Sequence, residues 1–334
     1  MSELYNPLLY NTPYHSRDLS KLRFLITGGA GFIGSNLVEY LLKYNAGHVR
    51  VLDNLSTGHY DNIRKFIGLP NFEFIDGDIG DFETCKLAVN GVHFISHQAA
   101  LGSVPRSIND PLMTNEVNIN GFLNMLVAAK NHSSIQKFIY AASSSTYGDS
   151  PILPKKENLI GRPLSPYAVT KLVNEIYADV FSRIYGFHTI GLRYFNVFGP
   201  NQSANNQYAA VIPKFIKAAK ELVPPTIYGN GENSRDFTYV ENVIQANIKA
   251  ILCTSIEAHT VLNIACGRSV TLNELWKLIA SNFEANNIKP IYVSERVGDV
   301  NHSLADILKA KELFGYEPLF NIEDGISLMK NCAI

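Results

Sequence analysis

Short apolar runs alternate with longer amphipathic segments from residue 22 onward. Runs such as "FLIT" and "FIYAA" are apolar throughout, which is typical of strands that are covered on both faces of a sheet. The pattern predicts strands near 22–27, 48–53, 72–75, 92–97, 137–142 and 188–193, and helices near 32–44, 81–89, 113–131 and 166–186. Because strands and helices alternate along the chain, we expect an α/β fold with a doubly wound parallel sheet.

This rhythm breaks after "RYFNVFGPNQSANNQ", where the chain becomes polar and rich in asparagine and glycine. A smaller C-terminal lobe is therefore predicted. We divide the chain into an N-terminal extension (1–21), a sheet domain (22–194, joined by a helix near 238–256) and the smaller lobe (195–237 and 257–334). The extension carries Leu8, Leu9, Tyr10 and Tyr14, so we expect it to pack on the surface of the sheet domain.

Composition and charge exclude several classes of partner. The 29 basic and 30 acidic residues nearly balance, so no overall field favours nucleic acid or an acidic membrane surface. No run of eighteen apolar residues and no signal-peptide pattern occurs, and we expect a cytoplasmic protein with no membrane partner. Cys85, Cys253, Cys266 and Cys332 lack both metal-ligand and disulfide-framework spacing, which predicts reduced thiols and no metal.

A glycine-rich turn follows the first predicted strand and opens the first predicted helix. In "FLITGGAGFIGSNLVEYLL", Gly29, Gly31 and Gly34 fit G-x-G-x-x-G, and Gly28 extends it to G-x-x-G-x-x-G. Missing side chains let the backbone approach a pyrophosphate, whose charge is met by free N–H groups and the helix dipole. The sequence therefore predicts a dinucleotide cofactor in contact with Gly28, Gly31, Phe32, Ile33 and Gly34.

An acidic residue ends the next predicted strand. Asp53 lies nineteen residues after Gly34, where a carboxylate accepts hydrogen bonds from ribose hydroxyls and repels a 2′-phosphate. This favours NAD over NADP, and Asn54 is a further candidate contact of the cofactor. In "GDI", Asp78 and Ile79 lie where an adenine would be met. A strand-turn-helix with an incidental aspartate is disfavoured because strand, loop, helix and acid occur together.

"SPYAVTK" places Tyr167 and Lys171 four positions apart, on one side of a helix. By itself the pair is compatible with an exposed surface. A tyrosine base near neutrality needs its pKa lowered from about 10 by about three units, or about 4 kcal/mol. One ammonium about 6 Å away supplies roughly 3 kcal/mol at an effective dielectric of 20, and an oxidised nicotinamide supplies a comparable amount. We therefore expect Lys171 and the cofactor to lower the pKa of Tyr167.

Upstream, "AASSSTYG" leaves a predicted strand at its C-terminal end, the side where ligands bind in such sheets. Serines in this position commonly form turns. Their hydroxyls are also candidates to assist the tyrosine.

Four motifs, "TGGAGFIG", "SSST", "YAVTK" and "LRYFNVFGP", together resemble the extended short-chain dehydrogenase/reductase superfamily. "GENSRDFTYV" and "RVGDVNHSLAD" narrow the resemblance to its nucleotide-sugar 4-epimerases, which are similar to UDP-glucose 4-epimerase. The resemblance runs from about residue 22 to 320. It implies a Rossmann domain that binds NAD and a smaller lobe that binds a UDP-sugar.

The resemblance also implies catalytic roles. Tyr167 takes a proton from the sugar 4-hydroxyl while C4 gives a hydride to NAD, and Lys171 holds the ribose and lowers the tyrosine pKa. The helper hydroxyl lies four residues before Tyr147, which points to Ser143, with Ser144 as the competing choice. The 4-keto sugar then turns over and is reduced on its other face. NAD is regenerated in each cycle and is expected to stay bound.

Binding positions carry over in the same way. The positions implied for the cofactor are Gln98, Ala99, Ala100, Leu101, Asn118 and Phe195. Those implied for the substrate are Gly102, Ser103, Ser143, Ser144, Asn196, Ala210, Val211, Tyr228, Arg235, Arg296, Asp299 and Ser303. Arg235 and Arg296 suit a diphosphate because a guanidinium makes two parallel bonds to phosphate oxygens. Surface ion pairs with Asp236 or Asp299 are the alternative.

Substrate identity depends on the volume of the sugar pocket. Ser303 occupies the family position that controls a bulky 2-substituent, and Gly102 and Ser103 stand where larger residues could stand. The chain therefore resembles the branch acting on N-acetylated sugars, which predicts interconversion of UDP-N-acetylglucosamine and UDP-N-acetylgalactosamine. Arg106 either neighbours the sugar or caps a helix.

Several other functions share parts of this pattern. A 4,6-dehydratase resembles the chain but needs a Thr-Asp-Glu run where "SSST" stands. UDP-glucose 4-epimerase stays open, as does UDP-glucuronate 4-epimerase or decarboxylase, since Arg106 or Ser103 could meet a carboxylate. A redox-sensing NAD-binding protein would have no need for Tyr167 and Lys171. Relatives pair the helices at 113–131 and 166–186 across a twofold axis, so a homodimer is expected.

Overall fold

The structure is a computed structural model that describes residues 4–204, 209–295 and 300–330. Its strands are β1 (Arg23–Thr27), β2 (His48–Asp53), β3 (Phe72–Asp76), β4 (Phe94–His97), β5 (Lys137–Ser143), β6 (Thr189–Tyr194), β7 (Val197–Phe198), β8 (Thr226–Tyr228), β9 (Ser234–Asp236), β10 (Thr238–Tyr239), β11 (Thr260–Ile264), β12 (Ser269–Thr271) and β13 (Ile291–Val293). Its α-helices are α1 (Phe32–Lys43), α2 (Asp61–Arg64), α3 (Phe82–Val89), α4 (Val104–Asn109), α5 (Pro111–Asn115), α6 (Gly121–Lys130), α7 (Pro166–Tyr185), α8 (Val211–Glu221), α9 (Val240–Leu252), α10 (Leu272–Asn282), α11 (Leu308–Phe314) and α12 (Ile322–Met329).

A parallel sheet of seven strands forms the centre, in the order β3-β2-β1-β4-β5-β6-β11. The chain moves outward from β1 through β2 to β3, then returns to place β4 on the other side of β1. Strand order therefore reverses between β1 and β4, which is the switch point where such sheets bind ligands. The predicted doubly wound α/β fold is confirmed.

The apolar strands are buried on both faces, as their uninterrupted hydrophobic runs predicted. Phe24 and Ile26 of β1 point into a core shared with α1 and α9. Leu25, between them, points into a second core shared with α3, α6 and α7. Since successive side chains of a strand alternate between faces, β1 contributes to both helical layers.

Two elements differ from the sequence prediction. The division at residue 257 placed 260–264 in the smaller lobe, whereas β11 pairs with β6 as the edge strand of the central sheet. It reaches that edge because α9 first returns to pack against α1, β4 and β5. The helix predicted over 113–131 is interrupted by a π-helical turn, Glu116–Asn120, between α5 and α6. The remaining division into lobes stays a prediction.

Residues 4–22 form a segment that we call the N-terminal strap. Its Leu9, Tyr10, Tyr14 and Leu19 side chains are buried in the same core as α1 and α9. The strap is thus integrated into the core to a greater depth than the predicted surface packing.

Smaller sheets make up much of the remaining chain. β8 pairs with β13, β9 pairs with β12, and α8 packs against α10. Within the part of the chain that the structure describes, no helix combines the length and the apolar character needed to cross a membrane.

Candidate active site

A cavity of about 530 Å³ opens at the C-terminal ends of β1, β2, β4, β5 and β6. It lies at the switch point, where carboxyl ends of strands leave a crevice between their loops. Residues from the glycine turn, from the end of β2, from the loop after β4, from the end of β5 and from α7 all line it. Segments that are far apart in the sequence therefore line one cavity.

The glycine turn forms one end of the cavity, where Gly28, Gly31, Phe32, Ile33 and Gly34 line it. Gly28 has φ +66°, and a Cβ there would lie 2.7 Å from Ala99 N. A Cβ on Gly34 would collide with Gly28 O. α1 begins after Gly31 with no side-chain cap from any residue that the structure describes. Its first N–H groups and its dipole are therefore suited to an anion such as a pyrophosphate.

Asp53 ends β2 beside this turn, and its position is fixed by the backbone. Its two carboxylate oxygens accept hydrogen bonds from Ala30 N and Leu55 N, both at 2.9 Å. Burial raises the pKa of Asp53, while these backbone N–H groups oppose that effect. Asp53 lines the cavity beside the glycine turn, the placement typical of a carboxylate that binds the ribose of a dinucleotide.

Asn54 and Ile79 also line the cavity, whereas Asp78 is exposed in the turn between its lining neighbours Gly77 and Ile79. Asn54 Nδ2 donates to Asp78 Oδ2 at 2.7 Å, and Asp78 Oδ1 accepts from Gly80 N at 2.7 Å. The structure therefore gives Asp78 a role in the shape of this turn, and its contact with an adenine stays a prediction.

Tyr167 and Lys171 lie in the first turns of α7 and both line the cavity. Ser165 caps the helix by accepting a hydrogen bond from Ala168 N at 3.2 Å, which fixes where the helix begins. Lys171 Nζ is 5.9 Å from the centroid of the Tyr167 ring and donates to Ala141 O at 2.8 Å. The ammonium is thus held between the tyrosine and the end of β5.

Burial controls the ionisation of both groups. It raises the pKa of Tyr167, and a hydrogen bond with Ser143 opposes this. It lowers the pKa of Lys171 to about 8, with Glu175 acting in the opposite direction. In the protein chain alone the pKa of Tyr167 is therefore raised, because the loss of solvent around the phenol outweighs the Ser143 hydrogen bond. The expectation that Lys171 and the bound cofactor together lower it stays a prediction.

Ser143 and Ser144 both line the cavity, at the end of β5 and the start of a 3₁₀ turn, Ser144–Tyr147. The Ser143 hydroxyl accepts a hydrogen bond from Ser145 N at 3.1 Å and interacts with Tyr167. This contact distinguishes it from Ser144 as the partner of the tyrosine.

The loop after β4 contributes Gln98, Ala99, Ala100, Leu101, Gly102 and Ser103 to the cavity wall. Asn118, on the π-helical turn, is buried behind this loop. Its side chain accepts from Leu101 N at 2.8 Å, and it donates to Leu101 O at 3.2 Å and to Thr170 Oγ1 at 3.1 Å. Asn118 therefore fixes the loop against α7.

Asn196 and Ala210 also line the cavity. Several other residues predicted from the resemblance lie outside this lining. Phe195 is fully buried against Tyr147, with ring centroids 5.9 Å apart. Arg235 donates to Ser234 O at 2.9 Å and to Asn301 O at 3.2 Å. Val211 begins α8, Tyr228 ends β8, and Ser303 is buried beside β9. Arg296 and Asp299 lie outside the described residues.

Asp236, considered above as an ion-pair partner of Arg235, is fully buried. Its carboxylate accepts from Cys266 N at 2.9 Å, Gly267 N at 3.0 Å and Ala305 N at 3.2 Å. It therefore joins β9 to two loops near Ser303.

Sequence reasoning missed two parts of the site. Asn201 and Gln202 line the cavity, and Asn201 Nδ2 donates to Ser35 Oγ near the start of α1 at 3.0 Å. Gln98 Nε2 donates to Tyr194 OH and to Asn247 Oδ1, both at 3.1 Å, and so connects the cavity to α9. The polar turn "GPNQS" after β7 was a signal for the first, whereas nothing local indicated the second.

The geometry agrees with comparisons to known proteins. The model of the NAD dependent epimerase/dehydratase family matches residues 24–265. This chain belongs to that family. A UDP-glucose 4-epimerase from Mycolicibacterium smegmatis is 32% identical over 308 residues, which is 92% of this chain and 96% of the relative.

Two solved structures of family members align over most of the chain. The UDP-N-acetylglucosamine 4-epimerase from Methanobrevibacter ruminantium, in complex with UDP-N-acetylmuramic acid, is 39% identical with a TM-score of 0.86, covering 92% of this chain and 96% of that chain. The UDP-glucose 4-epimerase from Thermus thermophilus, in complex with NAD, is 33% identical with a TM-score of 0.81, covering 92% and 97%.

NAD is accordingly the cofactor of this family member. The side-chain-free turn at Gly28 and Gly34, the uncapped start of α1 and the buried carboxylate of Asp53 fit its pyrophosphate and ribose.

Proposed function

We propose that this protein is a UDP-sugar 4-epimerase that interconverts UDP-N-acetylglucosamine and UDP-N-acetylgalactosamine through a transient 4-keto sugar. The observation that carries the proposal is the arrangement of Tyr167, Ser143 and Lys171 in the cavity that begins at the glycine turn. An acid-base group placed beside a dinucleotide site suits the oxidation of an alcohol.

The side chains divide the work. Tyr167 takes the proton of the sugar 4-hydroxyl and later returns it, and the Ser143 hydroxyl stabilises the phenolate by hydrogen bonding. Lys171, which is anchored to Ala141 O, binds the ribose of the cofactor in this proposal. Bound NAD would supply the hydride acceptor and donor for C4, and its positive nicotinamide would oppose the effect of burial on the pKa of Tyr167.

Epimerisation requires that the 4-keto sugar present its other face before it is reduced. A wide cavity permits this rotation, and Asn196 and Ala210 contribute to its lining. We propose that the nucleotide is held there, with Tyr228, Arg235, Arg296 and Asp299 contributing from the smaller lobe. A smaller pocket gripping the whole sugar would prevent the rotation.

Room for a 2-acetamido group supports the choice of substrate. A Cβ built on Gly102 would meet no atom of the described residues within 4 Å, so the loop after β4 leaves open space. Ser303 is small, and its backbone N–H donates to Ser234 O at 3.0 Å in a buried position. One similar solved enzyme is named a UDP-N-acetylglucosamine 4-epimerase and holds an N-acetylated UDP-sugar.

The test is turnover without added cofactor. Purified protein is mixed with UDP-N-acetylglucosamine, and anomeric NMR signals are followed for the C4 epimer. Parallel reactions contain UDP-glucose and UDP-glucuronate. We expect the acetylated pair to react with the highest kcat/KM; preferred conversion of either other sugar contradicts the substrate assignment.

Tyr167→Phe provides the matched control for chemistry. It keeps the ring but removes the acid-base group, so turnover should fall by about 10²–10⁴-fold while NAD stays bound. Full turnover in this variant would show that Tyr167 is not the acid-base group.

Ser303→Tyr tests the pocket. The larger side chain should reduce kcat/KM for the acetylated substrates and leave UDP-glucose turnover within about threefold. Equal losses on both would show that Ser303 does not control the 2-substituent.

UDP-glucuronate is the second candidate substrate because Arg106 lines the cavity beside Ser103. A guanidinium there suits a carboxylate. Arg106→Gln should then abolish UDP-glucuronate turnover and leave the neutral sugars nearly unaffected.

A further inference from the structure

The N-terminal strap is held along one face of α1. Asn36, Tyr40, Lys43 and Tyr44 follow the i, i+4, i+7, i+8 spacing of that face, and each contacts the strap. Tyr40 OH accepts from Tyr14 N at 2.6 Å, Lys43 Nζ donates to Leu9 O at 2.6 Å, and Tyr44 OH donates to Tyr10 O at 2.8 Å. The family model begins at residue 24, so this strap lies outside it.

One of these contacts leads toward the cofactor cavity. Tyr10 OH donates to Asn36 Oδ1 at 2.8 Å, and Asn36 Nδ2 donates to Phe32 O at 2.9 Å and to Pro200 O at 3.0 Å. The Tyr10 ring and Asn36 are fully buried. An amide has an acceptor and a donor end, so a hydroxyl that fixes Oδ1 also fixes the direction of Nδ2.

The receiving segment, residues 199–202, is a turn in the cavity wall. Gly199 has φ +156° and Asn201 has φ +68°, so part of the turn has a conformation that local preference does not supply. Asn201 Nδ2 donates to Ser35 Oγ at 3.0 Å, which gives the turn a second attachment to α1. Asn201, Gln202 and Phe32 all line the cavity.

We propose that Tyr10 is a positioning residue of the cofactor site: through Asn36 it holds the 199–202 turn against the start of α1 and so slows the release of NAD. Without the Tyr10 hydroxyl, Asn36 Oδ1 is buried without a donor and the amide loses the contact that sets its orientation. The turn then separates from α1 more often. This role depends on NAD binding alone and is independent of which sugar is the substrate.

Tyr10→Phe tests the proposal in the full-length holoprotein. Release of bound NAD is timed after mixing with an excess of an NAD-hydrolysing enzyme, and hydrogen exchange of residues 199–203 is measured by mass spectrometry. We expect both rates to rise by about tenfold, equivalent to about 1.4 kcal/mol.

Tyr14→Phe is the matched control. It removes a buried hydroxyl from the same strap, but Tyr14 OH donates to Glu241 Oε2 at 2.6 Å and has no bond to Asn36. NAD release from this variant should stay within about twofold of the parent rate. Equal acceleration in both variants would overturn the proposal, because general loosening of the strap would then explain the effect.

Asn36→Asp examines the second half of the connection and covers the case in which Tyr10→Phe fails to fold. The carboxylate keeps an acceptor for Tyr10 but has no donor for Pro200 O. Exchange at 199–203 and NAD release should both rise, while exchange of the strap stays unchanged. Unchanged release in this variant would also overturn the proposal.

Discussion

The buried ion pair between Glu175 and Arg193 connects α7 to β6 directly below the catalytic pair. Arg193 Nε and an η nitrogen donate to the two Glu175 oxygens at 2.9 and 2.7 Å, and the side chains are only 3% and 8% exposed for Arg193 and Glu175. The guanidinium also donates to Glu157 O at 3.0 Å and lies 4.7 Å from the Tyr147 ring centroid. Glu175→Gln therefore removes the negative charge that compensates the Arg193 guanidinium, which is almost fully shielded from solvent.

The magnitude follows from the geometry. Removing one member of a buried pair leaves an uncompensated charge and costs about 3–5 kcal/mol. Glutamine keeps the shape and one acceptor, so the lower half of that range applies, about 3 kcal/mol. Asp179→Asn is the control on the same helix, because Asp179 and Arg183 form an i,i+4 pair that is 49% and 66% exposed. An exposed pair contributes about 0–1 kcal/mol.

Urea unfolding at a fixed saturating NAD concentration, followed by Trp276 fluorescence and by circular dichroism, measures both variants. We expect a loss of about 3 kcal/mol in the free energy of unfolding for Glu175→Gln and under about 1 kcal/mol for Asp179→Asn. Equal effects would refute the reasoning, since burial would then not distinguish the two pairs.

The same variant affects the site. Glu175 opposes the lowering of the Lys171 pKa by burial. Without Glu175 the pKa of Lys171 falls below its value of about 8 in the NAD-free protein, so Lys171 loses its charge at lower pH. The alkaline limb of the kcat/KM profile should therefore move to lower pH in Glu175→Gln and remain in place in Asp179→Asn.

Three further predictions concern the cofactor, the lysine and assembly. In Gly34→Ala the new Cβ collides with Gly28 O, so the purified variant should lack NAD; an absorbance spectrum showing a full complement of NAD would contradict this. Lys171→Met should stabilise NAD-free protein near pH 7 by about 2 kcal/mol, because lowering the pKa from 10.5 to about 8 costs about 3 and a hydrogen bond returns about 1. That gain should shrink from about pH 8 to 10.5, as first the folded and then the unfolded lysine of the parent loses its proton; a gain constant in urea titrations across this range would argue against burial as the cause. Sedimentation should give twice the mass of one chain, and Ile176→Arg, on an α7 face where this residue is 55% exposed, should give monomer; a parent protein that sediments as a monomer would exclude the dimer.

Local patterns predicted the central sheet well. The runs that became β1, β4, β5 and β6 are buried along most of their length and need cover on both faces, and that requirement leaves few alternatives. β11 was misplaced because "TVLNI" is short and half polar, and its partner β6 lies about seventy residues earlier. Only the return of α9 across the sheet determines which edge it joins.

The candidate site likewise contains features set by local sequence and features set by contacts between distant segments. The glycine turn and the spacing of Tyr167 and Lys171 are each set by a short local segment, so the sequence alone predicted both as candidate site features. Whether the pKa of Tyr167 is raised or lowered depends on burial by several segments, and no local motif indicates that burial. Asn118 and Gln98 likewise take their roles from partners in other elements, Thr170 and Asn247 among them.

The contact between Tyr10 N and Glu241 Oε2, at 2.9 Å, joins residues 231 positions apart in the chain. A ribosome adding 5–20 residues per second needs roughly 10–50 s to make that interval. The strap is therefore translated well before its attachment to Glu241 can form. During that delay its tyrosines are available to chaperones, and a nascent chain arrested before residue 241 should leave residues 4–22 open to limited proteolysis.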